Sequence, residues 1–182
     1  MRVFVATLFT LALGSIVSAE PVRTQAAGLR YSVPSEWTRV PAPSDMRAAQ
    51  FRIPHTGSDG EDAEAVLFFF GEGKGGGTQD NIDRWYGQMT QPDGKASKDA
   101  GVVTIKTVKN LKVTALDLPG TYKGMASPGG PPATAKTGYR LLAAVVEGPG
   151  GPWFFRIIGP DATVKASKPA FDAFIESVES HQ

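Results

Sequence analysis

The sequence predicts an α+β fold, an antiparallel β-sheet flanked by helices, and two observations favour it. Most predicted strands come in hairpins, the clearest being Leu141–Val146 and Trp153–Ile158, which are joined by a Gly- and Pro-rich turn. Two amphipathic helices, one after the third predicted strand and one at the end of the chain, carry apolar residues at helical spacing. This order differs from the regular strand–helix alternation of a parallel sheet.

The first 19 residues have the pattern of a secretory signal peptide. Arg2 supplies the positive end, Val3–Leu13 is apolar, and Val17 and Ala19 are the small residues expected before a cleavage site. Cleavage before Glu20 would leave a short leader, residues 20–27, and a single domain, residues 28–182. The apolar stretch is too short for a permanent membrane span. We therefore expect a periplasmic or secreted protein with no stable membrane anchor after cleavage.

The amino-acid composition limits which partners the chain can bind and which chemistry it can carry out. The chain has no cysteine, so it forms no disulfide and carries out no thiol chemistry. Lys and Arg number 19 and Asp and Glu 18, and Arg2 leaves with the signal peptide, so the mature chain is close to neutral. Because nucleic acids and anionic membranes bind clustered basic residues, we expect neither as a partner.

The N-terminal half predicts three strands. Leu29, Tyr31 and Val33 alternate with polar residues, which is typical of a half-buried strand. Met46–Ile53 has two faces, and the better core candidate is the one carrying Arg47, Ala49, Phe51 and Ile53. Ala65–Phe70 is almost wholly apolar and predicts a central strand that is covered on both faces.

The C-terminal half predicts a second hairpin and the terminal helix. Val102–Val108 and Lys112–Leu118 form the hairpin, and Met125–Gly138 is expected to be a mobile loop. The terminal helix has an apolar face of Phe171, Phe174, Ile175 and Val178. Pro169 either lies in its first turn or kinks a longer helix that starts near Asp161.

The segment between the third strand and the first helix resembles a nucleotide-binding loop. Gly71, Gly73 and Gly76 match G-x-G-x-x-G after an apolar strand. A dinucleotide site also needs a parallel βαβ unit with an acidic residue at the end of its second strand, and the sequence offers neither. We therefore expect a pliable connector, with an anion or partner contact near Lys74 as the alternative. Thr78 is the predicted N-cap, and the helix should end near Gln91.

Five residues are candidates for binding a partner or ligand. The predicted helix puts Ile82, Trp85, Tyr86 and Met89 on its core face, and we expect Asn81, Arg84 and Gln88 on the opposite face. Lys74 lies in the glycine loop. Arg156 interrupts an apolar strand, where its charge must be paired, reach solvent or line a pocket.

No catalytic residue, metal ligand or cofactor site is predicted. The chain has two histidines, His55 and His181, and neither has a Ser or acidic neighbour in a known motif. Two distant histidines without cysteine make a zinc site improbable. The acidic run Asp59–Glu64 does not have the spacing of a calcium loop and is expected to be a solvated turn.

Several segments together resemble a known group of proteins. They are YSVPSEW from Tyr31, MRAAQFRIP from Met46, FFFGEGKGGG and NIDRWYGQM around the glycine loop, and WFFRIIGP from Trp153. They resemble uncharacterised exported bacterial proteins whose layout is similar to the PsbP-like fold. The resemblance implies an antiparallel sheet flanked by helices and an accessory or interaction role. It supplies no catalytic residue.

Two functions from different classes remain open. The first is an exported, non-enzymatic accessory or protein-interaction domain, whose protein partner would contact the glycine loop and the polar face of the helix. The second is a small-molecule-binding protein or a periplasmic hydrolase, with a pocket between the sheet and Met125–Gly138. A pocket holding Arg156 and a carboxylate would favour the second function.

Overall fold

The computed structural model describes residues 21–55, 60–124 and 133–181. Its strands are β1 (Val22–Ala26), β2 (Leu29–Val33), β3 (Thr38–Arg39), β4 (Arg47–Ile53), β5 (Ala63–Phe69), β6 (Met89–Thr90), β7 (Val102–Val108), β8 (Leu111–Tyr122), β9 (Lys136–Glu147), β10 (Trp153–Pro160) and β11 (Glu179–Ser180). Its helices are α1 (Thr78–Gly87), α2 (Ser97–Ala100) and α3 (Asp161–Ser177). None of the helices in these ranges is both long and apolar enough to cross a membrane.

The strands form two antiparallel sheets, which confirms the predicted α+β class. The large sheet has the order β3-β4-β5-β10-β9-β8-β6, with β7 also paired to β8, and the small sheet has the order β1-β2-β11. Both predicted hairpins are present, as β7–β8 and β9–β10. The β7–β8 turn consists of Lys109 and Asn110, whose φ angles of 44° and 69° suit a two-residue hairpin turn.

The large sheet lies between two apolar cores. On one face it packs against α3 and the small sheet, and on the other against α1. Central strand β10 is therefore buried along its whole length, and β5 between β4 and β10 is largely buried. The prediction that Ala65–Phe70 forms a central strand is confirmed.

The N-terminal boundary of the domain differs from the prediction. Residues 20–27 were expected to be a leader outside the domain, but Val22–Ala26 form β1, which pairs with the whole length of β2. Ala27 and Gly28, both at positive φ, form the tight turn between the two strands. The domain thus includes residues before 28, and the expected signal peptide lies outside the described residues.

Helix α3 is the longer of the two alternatives for the C-terminal helix. It starts at Asp161 and continues through Pro169, which lies on its exposed side, where a carbonyl left without a partner can be hydrated. Phe174 in its last turns contacts three aromatic rings, at centroid distances of 5.1 Å to Tyr31, 5.4 Å to Trp37 and 5.2 Å to Phe155. This cluster joins α3 to both sheets.

Two further predictions need correction. Lys136–Gly138 were placed in a mobile loop but begin β9, while residues 125–132 of that segment lie outside the described residues. Arg47 was placed on the core face with Ala49, yet a β-bulge between them changes the register, so Arg47 lies opposite Phe68 and Ala49 opposite Leu67. Arg47 therefore points to the α1 side of the sheet.

Candidate functional site

The N-cap of helix α1 lies one residue earlier than the sequence predicts. Gly77, not Thr78, is the N-cap, and the Asp80 carboxylate accepts a hydrogen bond from the Gly77 N–H at 3.0 Å. Thr78 is the first helical residue, and its hydroxyl donates to Glu147 Oε1 on β9 at 2.6 Å. The helix ends at Gly87, because β6 begins at Met89 and pairs with β8.

The glycine loop is packed against the sheet and is more than a pliable connector. Gly75 has a φ of 84°, and a Cβ at this position would lie 2.6 Å from Phe70 Cδ2 and 2.7 Å from Phe154 Cε2. Only a residue without a side chain fits this approach. The Asn81 side chain fastens the loop to α1 by donating to the carbonyls of Gly75 at 3.0 Å and Gly77 at 2.9 Å.

The sequence predicts that Asn81, Arg84 and Gln88 lie opposite the core face of α1, but only Arg84 is on the exposed side, while Asn81 and Gln88 lie at the edge of the core face. At about 100° per residue, positions 81 and 88 fall about 40° and 60° from position 85 on the helical wheel, whereas position 84 falls about 100° from it. Asn81 is accordingly buried, Gln88 half-buried and Arg84 exposed, while Trp85 packs in the core. The three polar residues thus form a flank that faces the uncovered part of the large sheet.

This flank closes one side of a cavity of about 350 Å³, which we call the arginine cleft. Strands β4, β5 and β10 form its floor, and residues 43–46 form its far rim. Its lining combines three arginines, two side-chain amides and four aromatic rings: Arg47, Arg84, Arg156, Asn81, Gln88, Phe68, Phe70, Trp85 and Phe154. Four of the five residues proposed from sequence therefore meet in one cavity.

Cross-strand pairing explains how the floor is assembled. Arg47, Phe68 and Phe154 are directly opposite one another on β4, β5 and β10. Arg156 lies two rows further along, opposite Val66, and therefore on the same face of the sheet as Phe154. The guanidinium carbons of Arg47 and Arg156 lie 5.8 Å and 5.9 Å from the centroid of the Phe68 ring. Two cations therefore contact one aromatic ring, an interaction favoured by the ring quadrupole.

One carboxylate connects these cations. Glu64 accepts hydrogen bonds from Arg47 at 3.2 Å and from Gln50 at 2.9 Å, and its other oxygen lies 3.6 Å from Arg156 Nη2. Arg156 Nη1 also lies 3.4 Å from the Gln88 amide oxygen. Burial lowers the pKa of the Arg156 guanidinium from its ordinary value, while the charges of Tyr122 and Glu64 oppose that shift.

Arg84 is held at the mouth of the cleft by a residue of its own helix. Its Nη1 donates to Asn81 Oδ1 at 2.8 Å, and Asn81 is itself fixed by the loop carbonyls. A guanidinium group has five N–H donors, and the hydrogen bond to Asn81 uses one of them. The remaining N–H donors of the exposed Arg84 side chain are not directed at Asn81. Arg84 is therefore oriented before any ligand arrives.

Lys74 is not part of the arginine cleft. It lines a separate groove of about 490 Å³, together with the start of α1 and the β9–β10 turn. Thr78 and Glu147, which are hydrogen-bonded to each other, lie in this groove. The structure thus divides the five sequence candidates between two surfaces, and the glycine loop separates them.

His55 has an acidic neighbour in space that the sequence did not indicate. Its Nδ1 lies 2.8 Å from Asp62 Oδ1, and the same oxygen accepts the His55 backbone N–H at 2.9 Å. Arg52 donates to the other oxygen of Asp62 at 2.9 Å. These bonds fasten the two ends of the segment between β4 and β5. Within the described ranges, no group of three or more His, Cys, Asp or Glu side chains is placed to hold a metal ion.

Comparison with solved structures identifies the fold as PsbP-like. The chain is similar to the solution structure of cyanobacterial PsbP from Synechocystis sp. PCC 6803, with a TM-score of 0.53 and 15% identity over 93% of this chain and 98% of that one. It is also similar to LpqN of Mycobacterium tuberculosis, described as involved in cell envelope biogenesis, with a TM-score of 0.52 and 11% identity over 91% and 88% of the two chains.

A protein of unknown function from Pseudomonas aeruginosa, PA94, matches with a TM-score of 0.49 and 11% identity over 90% of this chain and 99% of that one. The predicted PsbP-like fold is confirmed by the similarity to cyanobacterial PsbP. No family model matches the sequence, and none of the curated proteins matches it.

Proposed function

We propose that this chain is an exported, non-enzymatic accessory domain that acts by reversible binding at the arginine cleft. One observation carries the proposal: the fold gathers three arginines, two amides and four aromatic rings around one open cavity of about 350 Å³. Ligand cavities of this size, apolar with a few convergent polar groups, are typical of binding sites.

The chemistry of these groups favours binding over catalysis. Arginine keeps its proton throughout the neutral range, so it attracts anions but does not exchange protons with them. Glu64 is the carboxylate nearest to the arginines, and its oxygens are engaged by Arg47, Gln50 and Arg156. A carboxylate whose oxygens are occupied by these three side chains is not free to take a proton from a ligand in the cleft.

One observation also supports the alternative function, a small-molecule-binding protein or a periplasmic hydrolase. The cleft holds Arg156 beside a carboxylate, the combination expected of a small-molecule-binding protein, although it forms against α1. The pocket expected beside residues 125–138 involves residues 125–132, which lie outside the described residues. A small ligand and a protein partner that inserts one side chain are therefore both compatible with an accessory role.

Export is part of the proposal and has its own support. The N-terminal 19 residues have the three-part signal pattern, and the described helices include no membrane-spanning candidate. LpqN, which shares the fold, is described as involved in cell envelope biogenesis. The test is the mass of the mature protein recovered from the exported fraction. A chain starting at Glu20 supports export, and an uncleaved chain retained in the cytoplasm contradicts it.

The binding surface is tested by quantitative capture from the exported fraction. Immobilised mature protein is compared with three variants, Arg84→Glu, Lys74→Glu and the matched control Arg39→Glu. Arg39 is an exposed arginine on β3 that pairs with Phe51 on β4. We expect Arg84→Glu to deplete the bound proteins or metabolites, while Arg39→Glu and Lys74→Glu retain them. Equal binding by all four proteins would place the surface elsewhere.

A further inference from the structure

The size of the arginine cleft limits what it can hold. A cavity of about 150 Å³ is sufficient for a benzene molecule, so the 350 Å³ here accommodate one ring with a short polar arm. A stable protein–protein interface needs about 800 Å² from each partner, much more than such a cavity supplies. The volume therefore favours a small molecule.

The floor of the cleft favours an aromatic body for that molecule. Phe68 and Phe70 lie with centroids 6.2 Å apart and ring planes inclined by 12°, and Phe70 is tilted by 51° against Phe154 at 5.8 Å. Rings in these offset and tilted arrangements gain energy beyond their buried area. Gly75 packs closely against Phe70 and Phe154, where any side chain would meet both rings, and Phe68 and Phe70 remain half-buried beside the cleft.

The charges favour an anionic head group. Arg47, Arg84 and Arg156 line the cleft, and the Glu64 carboxylate contacts Arg47 and Arg156. Arg47 donates a hydrogen bond to the Glu64 carboxylate, and Arg156 forms an ion pair with it, so both guanidinium groups already pair with a carboxylate. Arg84 lies at the exposed end of the cleft, fixed by Asn81, with donors directed away from that bond. A planar carboxylate matches the fork of an arginine better than a single-point anion does.

We infer that the arginine cleft binds a small aromatic carboxylate, with its ring on the half-buried Phe68 and Phe70 and its carboxylate on the exposed Arg84. This inference rests on the proposed function, since it names the class of ligand for the same cleft. Inorganic phosphate can pair with the arginines but has no ring to place on the phenylalanines, so comparing it with an aromatic acid separates the contribution of the charge from that of the ring.

The test is calorimetric titration of the mature protein with 3-phenylpropanoate, with 3-phenylpropanamide, with acetate and with inorganic phosphate. We expect the aromatic carboxylate to bind at least about tenfold more tightly than its neutral amide, because the amide loses the charged hydrogen bonds. Acetate and phosphate, which lack the ring, should bind at least about tenfold more weakly than the aromatic acid.

Variants assign the binding to the cleft. Arg84→Gln should weaken 3-phenylpropanoate by about tenfold or more without changing the melting temperature, because Arg84 is exposed. Arg39→Gln, the matched control, should bind as the unaltered protein does. The inference would be overturned if 3-phenylpropanoate bound no more tightly than 3-phenylpropanamide, or no more tightly than inorganic phosphate. It would also be overturned if Arg84→Gln bound 3-phenylpropanoate as tightly as the unaltered protein does.

Failure of the inference and failure of the proposed function give different results. If Arg84→Glu alters capture from the exported fraction while no aromatic acid binds, the cleft is the binding surface and its ligand class is wrong. If neither experiment responds to changes at Arg84, both proposals are refuted.

Discussion

Substitution of Gly75 tests whether the glycine loop is a packed part of the cleft. Gly75→Ala is compared with Gly73→Ala, because both glycines have a left-handed φ, 84° and 69°, yet a Cβ at Gly73 has no atom within 4 Å. The left-handed conformation costs an alanine roughly 1–2 kcal/mol at either position. A lower entropy of the unfolded chain offsets about 0.4–1 kcal/mol of that in both variants.

Gly75→Ala carries an additional cost that Gly73→Ala does not. Its methyl group would stand 2.6 Å from Phe70 and 2.7 Å from Phe154, so these rings must shift. Such overpacking typically costs about 1–3 kcal/mol. For a domain of this size, roughly 1 kcal/mol lowers the melting temperature by about 2–4 °C. We therefore expect Gly75→Ala to melt roughly 2–12 °C below Gly73→Ala.

Thermal and urea unfolding, followed by tryptophan fluorescence, measure this difference. Gly75→Ala should also weaken ligand binding in the cleft, since the displaced rings form its floor. Equal melting temperatures for the two variants would mean that the loop moves away from Phe70 and Phe154 without cost. The loop would then be the pliable connector expected from sequence.

Three further predictions follow from particular contacts. Phe174→Ala should lower the free energy of unfolding by about 3–5 kcal/mol in urea titration, because it removes a buried ring that contacts three others. A loss below about 1 kcal/mol, which is roughly what one buried methylene contributes, would contradict that packing. Hydrogen bonds from the His55 side chain and backbone, with Arg52, lower the pKa of Asp62 from 3.8 to about 2, so the stabilisation is complete above pH 3.8 and is lost as the pH falls towards 2. NMR titration of the Asp62 carboxyl should therefore show a midpoint near 2 that rises in His55→Ala, and an unchanged midpoint in the variant would refute the assigned cause. Thr78→Val should raise the pKa of Glu147, which the Thr78 hydroxyl lowers, and an unaltered Glu147 titration would show that this bond does not form in solution.

Much of the fold follows from hydrophobic patterning. The β9 and β10 strands are continuous apolar runs around a Gly- and Pro-rich turn, and burial on both faces requires that pattern. The apolar spacing of Phe171, Phe174 and Ile175 likewise fixes the buried face of α3. Strand β1 was missed because its sequence, VRTQA, is mostly polar; β1 is stabilised by pairing with β2 and not by burial.

The candidate site was only partly predictable, for geometric reasons. Arg156 stood out as a charge within an apolar strand, and it does line the cleft. Arg47 was assigned to the wrong face, because strict alternation fails at the β-bulge before Ala49. Asn81 was expected to be exposed, although its position on the helical wheel places it next to Trp85. The Glu64 contacts join residues far apart in the chain, and no local pattern indicates them.

Hydrogen–deuterium exchange of the mature protein tests the central claim, that the arginine cleft is the binding surface, most directly. Exchange is compared for the protein alone and with the concentrated exported fraction, segment by segment. We expect added protection in residues 43–47 and 81–88, which border the cleft, and none in Arg84→Glu. Protection centred on β7, whose Val102 and Ile105 are the most exposed apolar side chains of its strand, with the cleft unaffected, would contradict the account.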